Sequence, residues 1–326
     1  MPKVSVIVPV YGVEKYMERC ARSLFEQTLD DIEYLFIDDC TPDRSMEILQ
    51  QVLEEYPQRK PQVTIHRMGQ NSGQAAVRKW GMQNATGEYV IHCDGDDWVE
   101  SDMYWAMYEK AKEEDADMVV CDYETNNEDG ATLVKQGCNP NALDSTSIIV
   151  DLLCGRYMGS LCNRMIKRTV YQDNEIIYPT KNFAEDLTIN IQIAYYVQKT
   201  IYIPNAYYHY TYNPCSITQK GDEEAIRNRF TQFCANVRLM ETFYQDKQGD
   251  NKMYRAIECR KFKTRDRLLP LTDDKYYYRL WRSTFPEINK HILWNDLISF
   301  KMKIRYVISL CGLYPLCKRL ISGIRN

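Results

Sequence analysis

The sequence lacks the pairings that would turn its cysteines into a framework. Twelve are scattered from Cys20 to Cys317, none stands in a Cys-x-x-Cys pair, and no group of Cys and His has zinc-like spacing. Glycine-rich phosphate cradles are missing too. There is no G-x-x-x-x-G-K-[ST], and no G-x-G-x-x-G follows the first strand signal. The opening Met1-Pro2-Lys3-Val4-Ser5-Val6-Ile7-Val8-Pro9 does not read as a secretory leader, because its apolar run is short and no small-residue cleavage site follows. With the scattered thiols, this points to a reduced, cytoplasmic protein. A net charge of −4 gives no reason to expect nucleic-acid binding. Internal repeats and low-complexity tracts are absent. No acidic residue follows Asp296, whereas Lys301, Lys303, Arg305, Lys318, Arg319 and Arg325 are basic. The uncharged stretch from Tyr306 to Cys317, interrupted by Gly312 and Pro315, falls short of the ~20 apolar residues a membrane span needs. Residues 300–326 therefore suit either peripheral contact with an anionic membrane or a terminal helix packed on the domain or at a dimer contact.

What is present is an ordinary globular composition, 44% hydrophobic and 26% charged over 326 residues, enough for about two domains. The first ~125 residues alternate strand and helix signals, which predicts an α/β fold with a mainly parallel sheet flanked by helices. Val4 to Val10 is a nearly continuous apolar run, as in a strand buried on both faces. Met17, Cys20, Ala21, Leu24 and Phe25 follow at the spacing of one helix face. Ile32 to Ile37 is a second strand, after which Thr41 is expected to cap a helix with Pro42 at its first position. That helix turns Met46, Leu49, Leu53 and Tyr56 inward. A short strand at Val63 to His66, a helix from about Gln74 to Ala85, a strand ending at Asp94, a helix capped by Ser101 and a strand at Met118 to Cys121 complete this half. Residues 124–147 are polar and turn-rich and read as an insertion or mobile loop. Helices are expected near 146–154 and 185–198, and the last ~110 residues read as mainly helical.

The residues that carry chemistry end the fourth strand. Asp94, Asp96 and Asp97 crowd three carboxylates into four positions. Like charges that close disfavour ionisation unless something positive lies among them. A hard divalent cation with oxygen ligands is the natural neutraliser, and a solvated acidic turn is the simpler alternative. Asp38 and Asp39 end a second strand, and in open α/β sheets ligands bind beyond the carboxyl ends of strands. A nucleotide held here would have its diphosphate bound through a metal rather than a glycine cradle.

At this point four ordered motifs resemble glycosyltransferase family 2, whose fold is GT-A. They are Pro9-Val10-Tyr11; Ile37-Asp38-Asp39-Cys40-Thr41-Pro42-Asp43; Asn71-Ser72-Gly73 through Arg78 to Gly81, with Ala85-Thr86-Gly87-Glu88-Tyr89; and Asp94-Gly95-Asp96-Asp97. The resemblance is close over residues 3–123 and implies a nucleotide-sugar site. Pro9, Tyr11, Asp38, Asp39, Asn71, Gly73, Arg78, Asp94 and Asp97 would bind the donor. Tyr11 would stack on the base, Asp39 would accept its ring N–H, and Asp97 would contact the donor sugar or cap the following turn. Asp96, with Asp94, would hold Mn²⁺ or Mg²⁺. Arg78 would reach phosphate or the acidic cluster. Lys79 departs from the family's usual Asn. Asn182-Phe183-Ala184-Glu185-Asp186-Leu187 resembles the family's Glu-Asp motif, with Asp186 as general base and Glu185 in support. On spacing alone both acids simply favour a helix N-terminus. Tyr207 to Thr218 resembles a stretch that closes over the diphosphate, but Thr211 stands where the family often has Arg. His209 is a substitute cation or a packed ring.

The resemblance implies an inverting, metal-dependent transfer from a nucleotide-diphosphate sugar, UDP-linked in preference, to a saccharide or lipid-linked saccharide acceptor in bacterial surface polysaccharide synthesis. It divides the chain into a donor half (1–123), an acceptor and catalytic-base half (124–218) and a helical C-terminal region (219–326). The alternative from another class is a catalytically silent nucleotide-sugar-binding scaffold subunit. A receiver-like domain would use only ~120 residues and leave Glu185-Asp186 unexplained, and an aspartyl phosphatase does not suit Trp98 after the acids.

Overall fold

The computed structural model describes residues 1–127, 130–134, 143–217, 222–272 and 274–316. The first strand, β1 (Val4–Val10), is buried at all of its positions, as its uninterrupted apolar run requires. Next come α1 (Glu14–Phe25), β2 (Ile32–Asp38), α2 (Ser45–Glu55), β3 (Val63–Arg67), α3 (Gln74–Asn84) and β4 (Tyr89–His92). β1 lies between β2 and β4 and runs parallel to both, and β3 adds parallel to β2. The second half supplies β5 (Trp98–Val99), α4 (Met103–Glu114), β6 (Met118–Asn127), β7 (Gly130–Val134), α5 (Ser145–Leu153), β8 (Arg164–Lys167), α6 (Arg168–Gln172), α7 (Glu185–Tyr196) and β9 (Thr200–Thr211). One sheet results, in the order β3-β2-β1-β4-β8-β6-β9-β5 with β7 beside β6. The donor-side half is parallel as expected. The other half is mixed, because β8 runs antiparallel between β4 and β6.

Side-chain alternation along β1 sends Val4, Val6, Val8 and Val10 to one face, with α1, α2 and α4. Ile7 faces the other core, with α3, α5 and α7. The α1 stripe agrees with the sequence pattern, whereas α2 buries Ser45, Leu49 and Val52 and leaves Met46, Leu53 and Tyr56 only partly buried. α1 buries Met17, Cys20, Ala21, Leu24 and Phe25. The second core continues without a break into α8 (Glu223–Asp246), α9 (Asn251–Asp266), α10 (Lys275–Ser283) and α11 (Phe300–Leu310) through Phe233, Val237, Phe262, Trp281 and Tyr306.

Three local expectations need correction. α2 begins at Ser45, not at Pro42, and Thr41 does not cap it. The Thr41 hydroxyl instead accepts the Gly12 N–H at 2.9 Å and donates to Asp43 at 2.6 Å, tying the ends of β1 and β2 together. Nor does Ser101 cap α4. The side chain of Gln27 does that work, accepting the Tyr104 N–H at 3.2 Å. Within the expected insertion at 124–147, β6 runs on to Asn127 and pairs antiparallel with β7. Residues 128–129 and 135–142 of that segment lie outside the described residues.

Because Trp281 is fully buried in the core shared by sheet and C-terminal helices, Trp281→Ala is expected to cost about 3–5 kcal/mol. Urea unfolding should show one transition at a lower midpoint with unchanged slope. Two separated transitions would mean the helical region folds apart from the sheet.

Candidate active site

The carboxyl ends of β1, β2 and β4 form one rim, and backbone contacts bring the acidic segments onto it. The Asp39 N–H bonds the Val10 carbonyl at 3.0 Å, and the Cys93 N–H bonds that of Ile7 at 3.0 Å. Gly95 permits the close approach of the acidic loop, since a Cβ there would lie 2.9 Å from the Pro9 carbonyl oxygen. Pro9 itself is buried within β1. Tyr11 stands just beyond the strand, 51% exposed, leaving its ring free to stack.

The acids after β2 turn inward. Asp38 accepts the Thr41 N–H at 2.7 Å and pairs with Arg67. Asp39 accepts the N–H groups of Ser72 and Gly73 at 2.7 and 2.8 Å, one on each oxygen. Asp39 therefore fixes the loop that carries exposed Asn71 into α3. Gly73 caps that helix at φ +81, and a Cβ there would fall 2.0 Å from the Asn182 side chain. Asn182 in turn accepts the Ala75 N–H at 3.3 Å. This side chain, adjoining the Glu-Asp motif, docks that motif onto the start of α3.

The centre of the site is Arg78 on α3, 1% exposed. Its Nη2 donates to Asp94 at 2.8 Å, and its Nε lies 3.2 Å from Asp186 and 3.7 Å from Glu185. One guanidinium thus joins the acidic loop to the Glu-Asp motif, so Arg78 reaches the acidic cluster. The second oxygen of Asp94 accepts from the Cys162 thiol at 3.4 Å. α7 opens with Glu185 and Asp186 in its first turn because Ala184 adopts a left-handed conformation, φ +66. Such a backbone persists only where its surroundings hold it. Here Gln232 on α8 accepts the Phe183 N–H at 3.1 Å, and Asn236 donates to the Lys181 and Phe183 carbonyls at 3.0 and 2.8 Å.

The three acids of the loop have different tasks. Asp97 is buried and turned away from the rim, accepting from the Tyr208 hydroxyl and, at 2.7 Å, from the Thr211 N–H. It anchors β9. Asp96 receives one hydrogen bond, 2.9 Å from Asn213, and burial with the nearby Asp94 charge pushes it up to about 6. A carboxylate raised by these causes gains from a neighbouring cation. Asp96 is thus the acid best placed to ligate a metal, with Asp94 beside it. Among the described residues no three His, Cys, Asp or Glu side chains close on one point. Burial also raises Glu185 far above the usual range. It raises Asp186 as well, against the opposing charge of Arg78. Asp186 keeps 22% side-chain exposure, so it remains reachable.

His209 is packed rather than poised. It is buried and stacks on Trp98 with ring centroids 3.5 Å apart, and its Nε2 lies 2.8 Å from Glu100. An exposed cation at this edge is Arg19 of α1, which donates to the Thr211 hydroxyl at 2.6 Å and whose charge acts on Asp96. Arg19, Asn182, Tyr208 and Asn213 were not singled out from the sequence. Their roles depend on partners far along the chain, so no local spacing announces them.

Arg78→Met leaves buried carboxylates without their countercharge, which typically costs about 3–5 kcal/mol. The loss should shrink as pH falls, because acids with raised values become neutral and no longer need a partner. Urea titrations of both proteins across acidic and neutral pH measure it, and an equal loss at every pH would contradict the assignment of Arg78 as common counterion.

Comparison with known proteins agrees with this geometry. Residues 5–174, just over half of the chain, match the family described as Glycosyl transferase family 2. Glycosyltransferase EpsJ of Bacillus subtilis strain 168, itself uncharacterized, is 30% identical over 224 residues, which are 67% of this chain and 64% of that protein. A poly(ribitol-phosphate) β-glucosyltransferase of Bacillus spizizenii is 28% identical over 64% of this chain but 32% of its own length. The chain therefore matches only part of each relative. In fold, the structure of S. aureus TarS 1–349 in complex with UDP aligns with a TM-score of 0.62 at 18% identity, covering 96% of this chain and 80% of that one. The sheet with its flanking helices is a GT-A fold, and the chain belongs to glycosyl transferase family 2.

Proposed function

We propose that this chain is an inverting glycosyltransferase that moves a sugar from a nucleotide diphosphate, UDP in preference, to a saccharide or lipid-linked saccharide. The observation that carries the reading is the bridge through Arg78, which keeps Asp186 and Asp94 at one guanidinium and so sets a reachable carboxylate beside the nucleotide rim. Asp186 takes the proton of an acceptor hydroxyl. The hydroxyl oxygen forms a bond to the anomeric carbon while the bond to the diphosphate breaks on the opposite face, so configuration inverts. Glu185, held neutral by burial, supports Asp186. Tyr11 stacks on the base, and Arg19 supplies positive charge toward the diphosphate. Mn²⁺ or Mg²⁺ bound at Asp96, with Asp94, would neutralise charge developing on the leaving diphosphate. The structural neighbour bound to UDP supports the choice of base. The relative named for poly(ribitol phosphate) supports a surface polymer as acceptor class. We keep the division into donor half 1–123, acceptor half 124–218 and helical region 219–326. We also place the protein in the cytoplasm, in peripheral contact with the membrane through residues 300–326.

Thermal unfolding with UDP, GDP, CMP or dTDP, each with Mn²⁺ and with EDTA, tests the donor site. One diphosphate should stabilise by about 2.7 kcal/mol at one hundred times its Kd, and only with metal. If none does so for folded protein, the site does not hold such a donor. Asp186→Asn should keep that shift and lose transfer by at least ~10²-fold, the smaller end of a general-base contribution. Near-full transfer would rule Asp186 out as base, and transfer by neither protein with matched substrates would favour the silent scaffold.

Arg19→Ala should weaken UDP–Mn²⁺ binding by roughly fivefold to tenfold, the scale of an exposed charge-assisted hydrogen bond. Its unfolding midpoint without ligand should stay unchanged, since Arg19 is exposed. Calorimetric titration with equal affinities for both proteins would remove Arg19 from the donor site.

A further inference from the structure

We infer that α11 and the turn before it form a face that docks on an anionic lipid surface. This deepens the membrane contact of the proposed function by naming the surface and its lipid. α11 buries Tyr306 and Ser309 against the domain. Tyr306 packs edge-on to Phe262 with centroids 5.9 Å apart, the Tyr278 hydroxyl donates to the Ser309 carbonyl at 3.0 Å, and Arg305 pairs with Asp266. The inward face is thus fully engaged.

The outward face is apolar as well. Phe300 is 78% exposed, Ile304 45% and Val307 44%, at the i, i+4, i+7 spacing of one helix side. Leu310 ends the helix with a further exposed apolar side chain, Leu313 and Leu316 are exposed after it, and Leu293 with Trp294, the latter 83% exposed, precede it. A helix facing water on that side should be polar there. A contiguous exposed patch of large apolar side chains marks an interaction surface.

Charge selects the occupant. Lys301 and Lys303 flank the patch, Lys301 exposed, and no acid follows Asp296 in the chain. Two copies meeting face to face about a two-fold axis would set these lysines against one another. An anionic bilayer pairs with them while its acyl boundary receives the apolar side chains. An indole ring, apolar with one N–H, suits that boundary. No helix among the described residues is long and apolar enough to cross a membrane, so α11 would lie in the plane of the surface.

Sedimentation of the full chain with vesicles of phosphatidylcholine, with and without phosphatidylglycerol, tests the inference. Wild type should pellet with the phosphatidylglycerol vesicles and be released by high salt. The triple variant Phe300→Ser, Ile304→Ser, Val307→Ser should bind at least tenfold more weakly with an unchanged unfolding midpoint. Lys301→Glu with Lys303→Glu should lose about fivefold per lysine. Equal pelleting of wild type and triple variant overturns the proposal. So does pelleting indifferent to phosphatidylglycerol, or a stable dimer by light scattering that the triple variant abolishes while vesicles bind neither protein. The assay contains no nucleotide, so its failure is separate from failure of the donor site.

Discussion

The guanidinium of Arg78 is the interaction on which the site depends. Burying a cation is costly unless it is paired; Asp94 is hydrogen-bonded to it, and Asp186 and Glu185 lie within ion-pair distance, from two segments about ninety residues apart in the chain. Without it the acidic loop after β4 and the first turn of α7 would repel each other. With it they share one boundary. A single lysine ammonium lacks the planar fork needed to address both sides at once. The position therefore calls for arginine, on a helix whose start is itself pinned by Asp39 and Asn182.

The supporting structure is arranged around that junction. β1, β2 and β4 run parallel, so their carboxyl ends deliver three loops to the same rim. Antiparallel β8 then allows β6 and β9 to extend the sheet, and β9 returns Tyr208, Thr211 and the following Asn213 to the acids after β4. The C-terminal helices are more than a cover. Through Gln232 and Asn236, α8 holds the left-handed turn at Ala184 that aims Asp186.

Residues buried on a periodic face were legible in the sequence. The apolar run of β1 and the five inward positions of α1 depend only on local spacing, and both are found as expected. The acidic positions were legible as a cluster, but not the division of labour within it. Asp39 accepts two backbone N–H groups, and Asp97 accepts one together with the Tyr208 hydroxyl, partners that no local spacing announces. The same tertiary satisfaction explains the misplaced caps. Thr41 is a good cap by composition, but the Gly12 N–H claims its hydroxyl. Gln27 serves α4 from seventy-seven residues away. Residues 124–147 looked like an insertion because polar side chains conceal the end of β6, whose partner β9 comes much later in the chain.

Charge balance ties these elements to the proposed chemistry. Asp94, Glu185 and Asp186 share one buried arginine, while Asp96 and Asp97 beside them have none, with Arg19 at the edge. Such an excess can be relieved in two ways. Some acids are pushed toward their neutral form, as burial does for Glu185 and, less strongly, for Asp96. Others are neutralised by an arriving cation. The first route stabilises the resting protein, and the second is the one on which the proposed function draws, a divalent ion shared between Asp96 and an anionic diphosphate.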